Sequence, residues 1–272
     1  MRGYRLSVDD NIWFLRNIAN HPEYTSLFDD PYLRLYKDIH DKYGTKVHMN
    51  IYYETDGFNL TQMPDRFKSE WAANAHWLRL SFHAKADDPP WPYLNAGYDE
   101  MYNDYKQVER EILRFAGPEV LGPVTTVHYA EATREGVKAL RDCGIKVLLG
   151  DFAFNKDGER CLDYYLDSDQ FDMVRKNCFW KDPGTDMIFA CCDVVLNTFK
   201  PEEIAPEMDR YEREYPNRDF VDILIHEQYF YKDYTHHLPD YREIIEAGVE
   251  WCISKNYEPA FITDMIDVDS FC

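Results

Sequence analysis

Leu6-Ser7-Val8-Asp9-Asp10 is a short apolar run that ends in two adjacent carboxylates. Two such groups repel each other, so a fold that holds them together supplies a cation or a shared proton. At the tip of a buried strand the pair can divide its work. One carboxylate binds a metal ion while its neighbour takes a proton from metal-bound water. For an isolated Asp-Asp, a solvated turn after a strand is the better reading. The balance moves because three later apolar runs each end on a histidine: 77–82 before His83, 123–127 before His128 and 221–225 before His226. A fourth run, 145–149, leads through Gly150 to Asp151.

Strand and helix signals alternate along the chain, and this alternation positions those residues. Strands are expected at 4–8, 46–53, 77–82, 123–127, 145–149, 187–196, 221–225 and 260–264. Helical patterns fall between them, at 12–20, 32–43, 98–115, 135–143, 201–215 and 241–255. Asp29, Asp30 and Pro31 offer a cap and first-turn proline for the second helix, and Gly44 closes it. Residues 155–184 break the rhythm; an Asn-Lys-Asp-Gly turn there suggests a hairpin or inserted lobe. The predicted fold is α/β: one domain over 1–272, a deformed (β/α) barrel of seven or eight parallel strands with outer helices.

A parallel barrel gathers its strand ends on one rim, so Asp9, Asp10, His83, His128, Asp151 and His226 would meet there. Oxygen and imidazole donors in an open three-ligand site suit a divalent ion, zinc first. Asp10 and His83 are the first two ligands. The third is open: Asp87 would reach the same ion if one helical turn followed His83, and His128 ends the neighbouring strand. Asp87 also reads as a turn aspartate ahead of Pro89-Pro90, and His226 as a buried histidine bonded to a neighbouring loop. Trp91 could form a sugar-stacking wall or simply pack. Glu227 should point away from His226 if that strand continues.

Other histidines and cysteines carry less. His236-His237 reads as a solvated loop, and His40, His48 and His76 have no identifiable partner. Cys191-Cys192 would point to opposite faces of a strand.

Asp9-Asp10 after the first strand, His83 with a polar residue four positions on, and Leu224-Ile225-His226 near the end resemble the polysaccharide deacetylases, the chitooligosaccharide-deacetylase-like carbohydrate esterases. The order of elements is similar over nearly the whole chain, and the chain reads as a divergent member. The resemblance implies a deformed seven- or eight-stranded barrel and metal-dependent removal of acyl groups. It gives Asp9 the role of general base, Asp10 and His83 those of metal ligands, and Asp87 the place of the family's second histidine. His226 becomes the general acid, and Tyr129 offers a backbone N–H to the oxyanion. Where the family has arginine-proline-proline-tyrosine-glycine, this chain has Thr126-Val127-His128-Tyr129-Ala130-Glu131, without the arginine that orients the base. Asp151-Phe152 stands for its later Asp-Trp segment.

Composition bounds the partners. Fifty acidic against 30 basic residues give a net charge of −20, which argues against nucleic acid and anionic membrane. Neutral carbohydrate or small acetylated amides stay compatible, and 21 Tyr, 16 Phe and 6 Trp suit sugar stacking. No apolar run is long enough to span a bilayer. The N-terminus passes directly into the first strand, and seven cysteines form no CxxC pair. A cytoplasmic protein with reduced thiols is the simplest expectation, and homo-oligomers are compatible with everything above. The alternative to a deacetylase is a sugar-binding barrel that keeps the pocket and has lost turnover.

Overall fold

β1 (Gly3–Asn11) sits at the centre of the molecule and is buried along almost its whole length. The computed structural model describes residues 2–216 and 218–271, so Cys272 lies outside it. Parallel neighbours flank β1 on both sides: β2 (Val47–Tyr52) and a late strand, Phe220–His226. β2 in turn pairs with β3 (Leu78–Ala84). A second parallel set joins β4 (Val124–Thr125), β5 (Val147–Gly150) and β6 (Met187–Cys191). The chain then breaks at Cys192-Asp193 and resumes as β7 (Val194–Val195), which pairs with the late strand, β8.

The two sets form one interrupted circuit. Between β3 and β4 the ladder shrinks to a bridge from Leu80 to Leu121, helped by the Thr125 hydroxyl donating to the Phe82 carbonyl. At the other gap the Cys192 N–H reaches the Gly150 carbonyl at 2.8 Å, and the Asp193 N–H reaches that of Asp222 at 3.0 Å. This is a deformed barrel with seven parallel strand positions. The expected eighth strand at 260–264 is not present. Glu258–Pro259 pairs with Gly3 and Tyr4 at the foot of β1, but β2 occupies that edge from Leu6 onward. The chain therefore has no edge left to extend along. It turns into a short helix, Ile262–Met265, where the Asp264 carboxylate accepts the Phe261 N–H at 2.8 Å. The fourth strand also stops earlier than expected, because His128–Ala130 forms a tight turn.

Helices α1 (Trp13–Asn20), α2 (Pro31–Tyr43), α3 (Lys68–Asn74), α4 (Tyr98–Phe115), α5 (Arg134–Asp142), α6 (Ser168–Asn177), α7 (Pro201–Glu214) and α8 (Tyr241–Ser254) fill the connections. The start of α2 follows the residues that signal it: the Asp30 side chain accepts the Leu33 N–H, Pro31 leads the first turn, and Gly44 ends the helix in left-handed geometry. The 155–184 stretch contains α6, one arm of a hairpin between Ala153–Phe154 and Arg160–Cys161, and a strand, Phe179–Asp182, antiparallel to β6.

The barrel interior is polar. Arg5 and Asp222 form a fully buried ion pair at 2.8 Å, and Ser7 donates to the same carboxylate at 3.1 Å. His48 meets the Ser81 hydroxyl at 2.9 Å. Apolar partners on the outward faces, such as Leu6, Val8, Met49 and Leu80, pack into the main core.

α1 carries no capping side chain of its own. Its cap comes from Glu227, the residue after β8, which is fully buried. The carboxylate accepts the N–H groups of Ile12 at 2.5 Å, Trp13 at 2.8 Å and Phe14 at 2.6 Å, and the Tyr231 hydroxyl at 2.9 Å. Negative charge at a helix N-terminus is favourable, and these N–H groups have no other partner within the helix. Glu227→Ala should therefore cost about 3–5 kcal/mol of stability. A denaturant midpoint unchanged from wild type would show that the cap does nothing.

Glu131 follows the β4 turn, and burial, with Asp163 nearby, pushes its carboxyl up from 4.5 to about 7. A carboxyl raised in the folded state stabilises the fold below its unfolded pKa, and that gain is lost as pH rises through 7. Glu131→Gln should match wild type near pH 4 and exceed it above pH 7 by about 1–2 kcal/mol, after allowance for solvent screening. Thermal unfolding at the two pH values reads the difference.

Candidate functional site

The Asp-Asp pair lies in a β-bulge. Val8 pairs with Met49 and Asn11 with Ile51, so β1 spends one more residue than β2 across this interval. Asp10 absorbs the extra residue at φ 63. Aspartate tolerates this left-handed region better than most residues. Asn11 pins the bulge, its amide donating to the carbonyls of Val8 at 2.6 Å and Asn50 at 3.1 Å. The local kink turns neighbouring carboxylates, which a regular strand would send to opposite faces, toward one cavity.

Asp10, His83 and His128 each bring a donor atom to one point. Asp10 Oδ1 lies 3.0 Å from His83 Nε2 and 3.3 Å from His128 Nδ1, and the two imidazole nitrogens are 3.2 Å apart. An ion with tetrahedral bonds of about 2.0 Å has donors about 3.3 Å apart, so the trio fits a small divalent cation. His83 Nδ1 faces the Thr126 carbonyl at 2.5 Å. A carbonyl only accepts, so Nδ1 carries the proton and the Nε2 lone pair is left for the ion. Burial opposes charge on Asp10, yet the facing imidazoles of His128 and His83 hold its carboxyl well below the usual range. Burial likewise opposes protonation of His128, but Asp10 and Asp87 outweigh it and raise the ring to about 9.

Asp87 stands outside the trio. Its side chain is 67% exposed, with Oδ1 3.4 Å from His128 Nε2. No helical turn follows His83: 85–97 is irregular, and a proline at 89 keeps the preceding residue out of helical geometry. Asp87 thus touches the outer nitrogen of His128 instead of sharing the donor point.

The register of β1 against β8 pairs Asp9 with His226. Asp9 is buried, and the Asn50 amide donates to its Oδ1 at 2.5 Å. The Asn50 oxygen is itself fixed by the Ser81 hydroxyl at 2.6 Å. His226 uses Asn197: the backbone N–H of His226 and its ring Nδ1 both meet Asn197 Oδ1, at 3.2 and 2.9 Å. An atom that accepts a backbone N–H is the oxygen, so Nδ1 is protonated and Nε2 carries the lone pair. Asp151 lines the same cavity, and burial lifts its carboxyl to about 6 despite nearby His226. Tyr129 adopts φ 61 in the turn after β4, packs on His128 with ring centroids 4.2 Å apart, and meets half-exposed Trp91 at 5.0 Å.

Asp9, Asp10, His83, Asp87, His128, Tyr129, Asp151 and His226 line a cavity of about 890 Å³ at the C-terminal rim. Glu54, Asp56, Asp87 and Asp88 add carboxylates to its mouth, and among the described residues no lysine or arginine lines it. Trp13 and Tyr234 form an aromatic side, their rings 6.0 Å apart. A larger cavity of about 1070 Å³, beside Cys178 and Phe220, includes none of the rim residues.

Tyr52, Asn50 and Asn197 are site residues that the sequence reading passed over. Tyr52 ends β2, one residue before the expected end of that strand at 53. Among the residues set aside, His237 meets the Tyr229 carbonyl at 3.2 Å. His48 lies deep in the barrel, and Cys191 and Cys192 are buried.

No family model matches the chain, and no curated protein matches its sequence. Solved structures do match. A candidate polysaccharide deacetylase from Mycobacterium smegmatis superposes with a TM-score of 0.51 at 12% identity, covering 97% of this chain and 89% of that one. The fold is that of the polysaccharide deacetylases. The 4-alpha-glucanotransferase of Thermococcus litoralis shares it at a TM-score of 0.56 and 10% identity, over 99% of this chain and 40% of that one. The polysaccharide deacetylase Bc1974 of Bacillus cereus gives 0.44 at 11% identity, over 95% and 91%. At such identities the likeness to the deacetylases is one of architecture. No helix among the described residues is long and apolar enough to cross a membrane.

Proposed function

We propose that this chain is a divergent polysaccharide deacetylase: a metal-dependent hydrolase that removes acetyl or similar acyl groups from an amino sugar, a polysaccharide or a small amide. The observation that carries the reading is the convergence of Asp10, His83 and His128, with Asp9 beside them and outside the donor trio, in one cavity at the strand ends. Asp10, His83 and His128 would hold a divalent ion, zinc first, and Asp87 would orient His128 through its outer nitrogen. When bound, the ion polarises the substrate carbonyl and makes water a stronger nucleophile.

The remaining roles belong to side chains. Asp9, with one oxygen tied to Asn50, takes the proton from the attacking water. His226 presents Nε2 to the cavity because Asn197 holds Nδ1; for the acid step Nε2 first takes up a proton from solvent and then gives it to the departing amine or alcohol, and Asp9 later returns its own proton to solvent. The Tyr129 backbone N–H supports the oxyanion, and Trp13, Tyr234 and the Tyr129–Trp91 pair offer faces for sugar rings. Six free cysteines among the described residues favour a reducing, cytoplasmic setting.

A second reading, a sugar-binding barrel without turnover, draws on the neutral partner of Asp9: its donor is the Asn50 amide, and the family's arginine is absent from the 126–131 segment. Metal analysis and acetate release from acetylated oligosaccharides, before and after chelation, separate the two. One ion per chain with chelator-sensitive acetate release supports hydrolysis. Sugar binding without acetate supports the second reading.

A further inference from the structure

The Tyr52 hydroxyl does not stand behind the three donors; it stands among them. It lies 2.5 Å from Asp10 Oδ1, 3.0 Å from His128 Nδ1 and 3.3 Å from Asp87 Oδ1. The residue is 1% exposed, so the phenol is held at this point by packing. Its ring leans on both imidazoles, with centroids 5.2 Å from His83 and 5.2 Å from His128. The placement follows from topology. β2 is hydrogen-bonded between β1 and β3, so its last residue falls between Asp10 on one side and His83 on the other. A phenol needed only for packing requires one acceptor. This one donates a short hydrogen bond to Asp10 and also lies 3.0 Å from His128 Nδ1, so it touches two of the three donor side chains at once.

We propose that Tyr52 is the fourth protein donor of the cation site, coordinating as a phenolate beside Asp10, His83 and His128. The inference rests on the metal site of the proposed function and adds a ligand to it. On ion uptake the O–H bond of Tyr52 breaks, its electron pair stays on oxygen to bond the metal, and the proton passes to solvent. The four protein donors are then two oxygens and two imidazole nitrogens, and a substrate carbonyl enters as a further donor. Such a set suits ions that accept five or six ligands as well as zinc.

The test uses the full chain, stripped with a chelator and reloaded with one equivalent of Cu²⁺ or Fe³⁺. A coordinated phenolate gives a visible charge-transfer band, and resonance Raman assigns it to tyrosine without any variant. Wild type should bind one ion and show the band. Tyr52→Phe should still bind one ion, about 10–100-fold more weakly, with the band gone. Wild type that binds one ion without the band overturns this inference and leaves the metal site standing. A band of equal strength in Tyr52→Phe also overturns it. A chain that takes up no ion overturns the metal site and this inference together.

Discussion

Asp10→Asn should strip the chain of its cation. Asparagine keeps the shape of the side chain and tolerates the left-handed bulge, where alanine would add backbone strain. Only the charge is lost, and the charge is what His83 and His128 lie against. Affinity should fall by at least about a hundredfold, more than removal of a supporting residue around a metal site costs. Metal content per chain after desalting, followed by titration with Zn²⁺, measures it. Any acetate release should vanish in parallel and return in part at high added metal. Stoichiometric retention of the ion by this variant would remove Asp10 from the site.

Asp9→Asn should do the opposite. The ion stays, since Asp9 is not among the three converging donors, and the rate collapses. Loss of a positioned general base lowers kcat by about 10²–10⁴-fold, with KM little changed because substrate contacts survive. The Asn50 amide can still donate to the side-chain oxygen of the new asparagine, with Ser81 holding it in place, so the loss of rate reports the missing base. Wild-type rates in both the Asp9 and the Asp10 variants would reject the division of labour between the pair.

Asp9, Asp10, His83, His128, Asp151 and His226 were legible because each terminates an apolar run, and a parallel barrel brings such ends together whatever their separation in sequence. Asp87 was misplaced for a local reason: the assumed helical turn cannot form ahead of Pro89-Pro90. Tyr52 escaped notice because a tyrosine at a strand end reads as core, and only the three-dimensional neighbours reveal its hydroxyl among donors. Asn50 and Asn197 are ordinary amides in sequence; their meaning lies in the side chains they hold. The eighth strand failed because apolar residues at 260–264 report burial, not a free edge. Seven strand positions followed from the alternating pattern, but which edge each strand would find open was a property of the assembled circuit.

The unbalanced lining of the rim cavity has a consequence for turnover. For an amide substrate of the reaction proposed above, cleavage yields two ions of opposite sign inside a basin whose lining holds carboxylates and, among the described residues, no lysine or arginine. Acetate, once off the ion, is repelled outward by the mouth of Glu54, Asp56, Asp87 and Asp88, while the same carboxylates attract the ammonium half and slow its exit. Release of the cationic half would then set the pace, and added salt, by screening that attraction, would quicken the cycle.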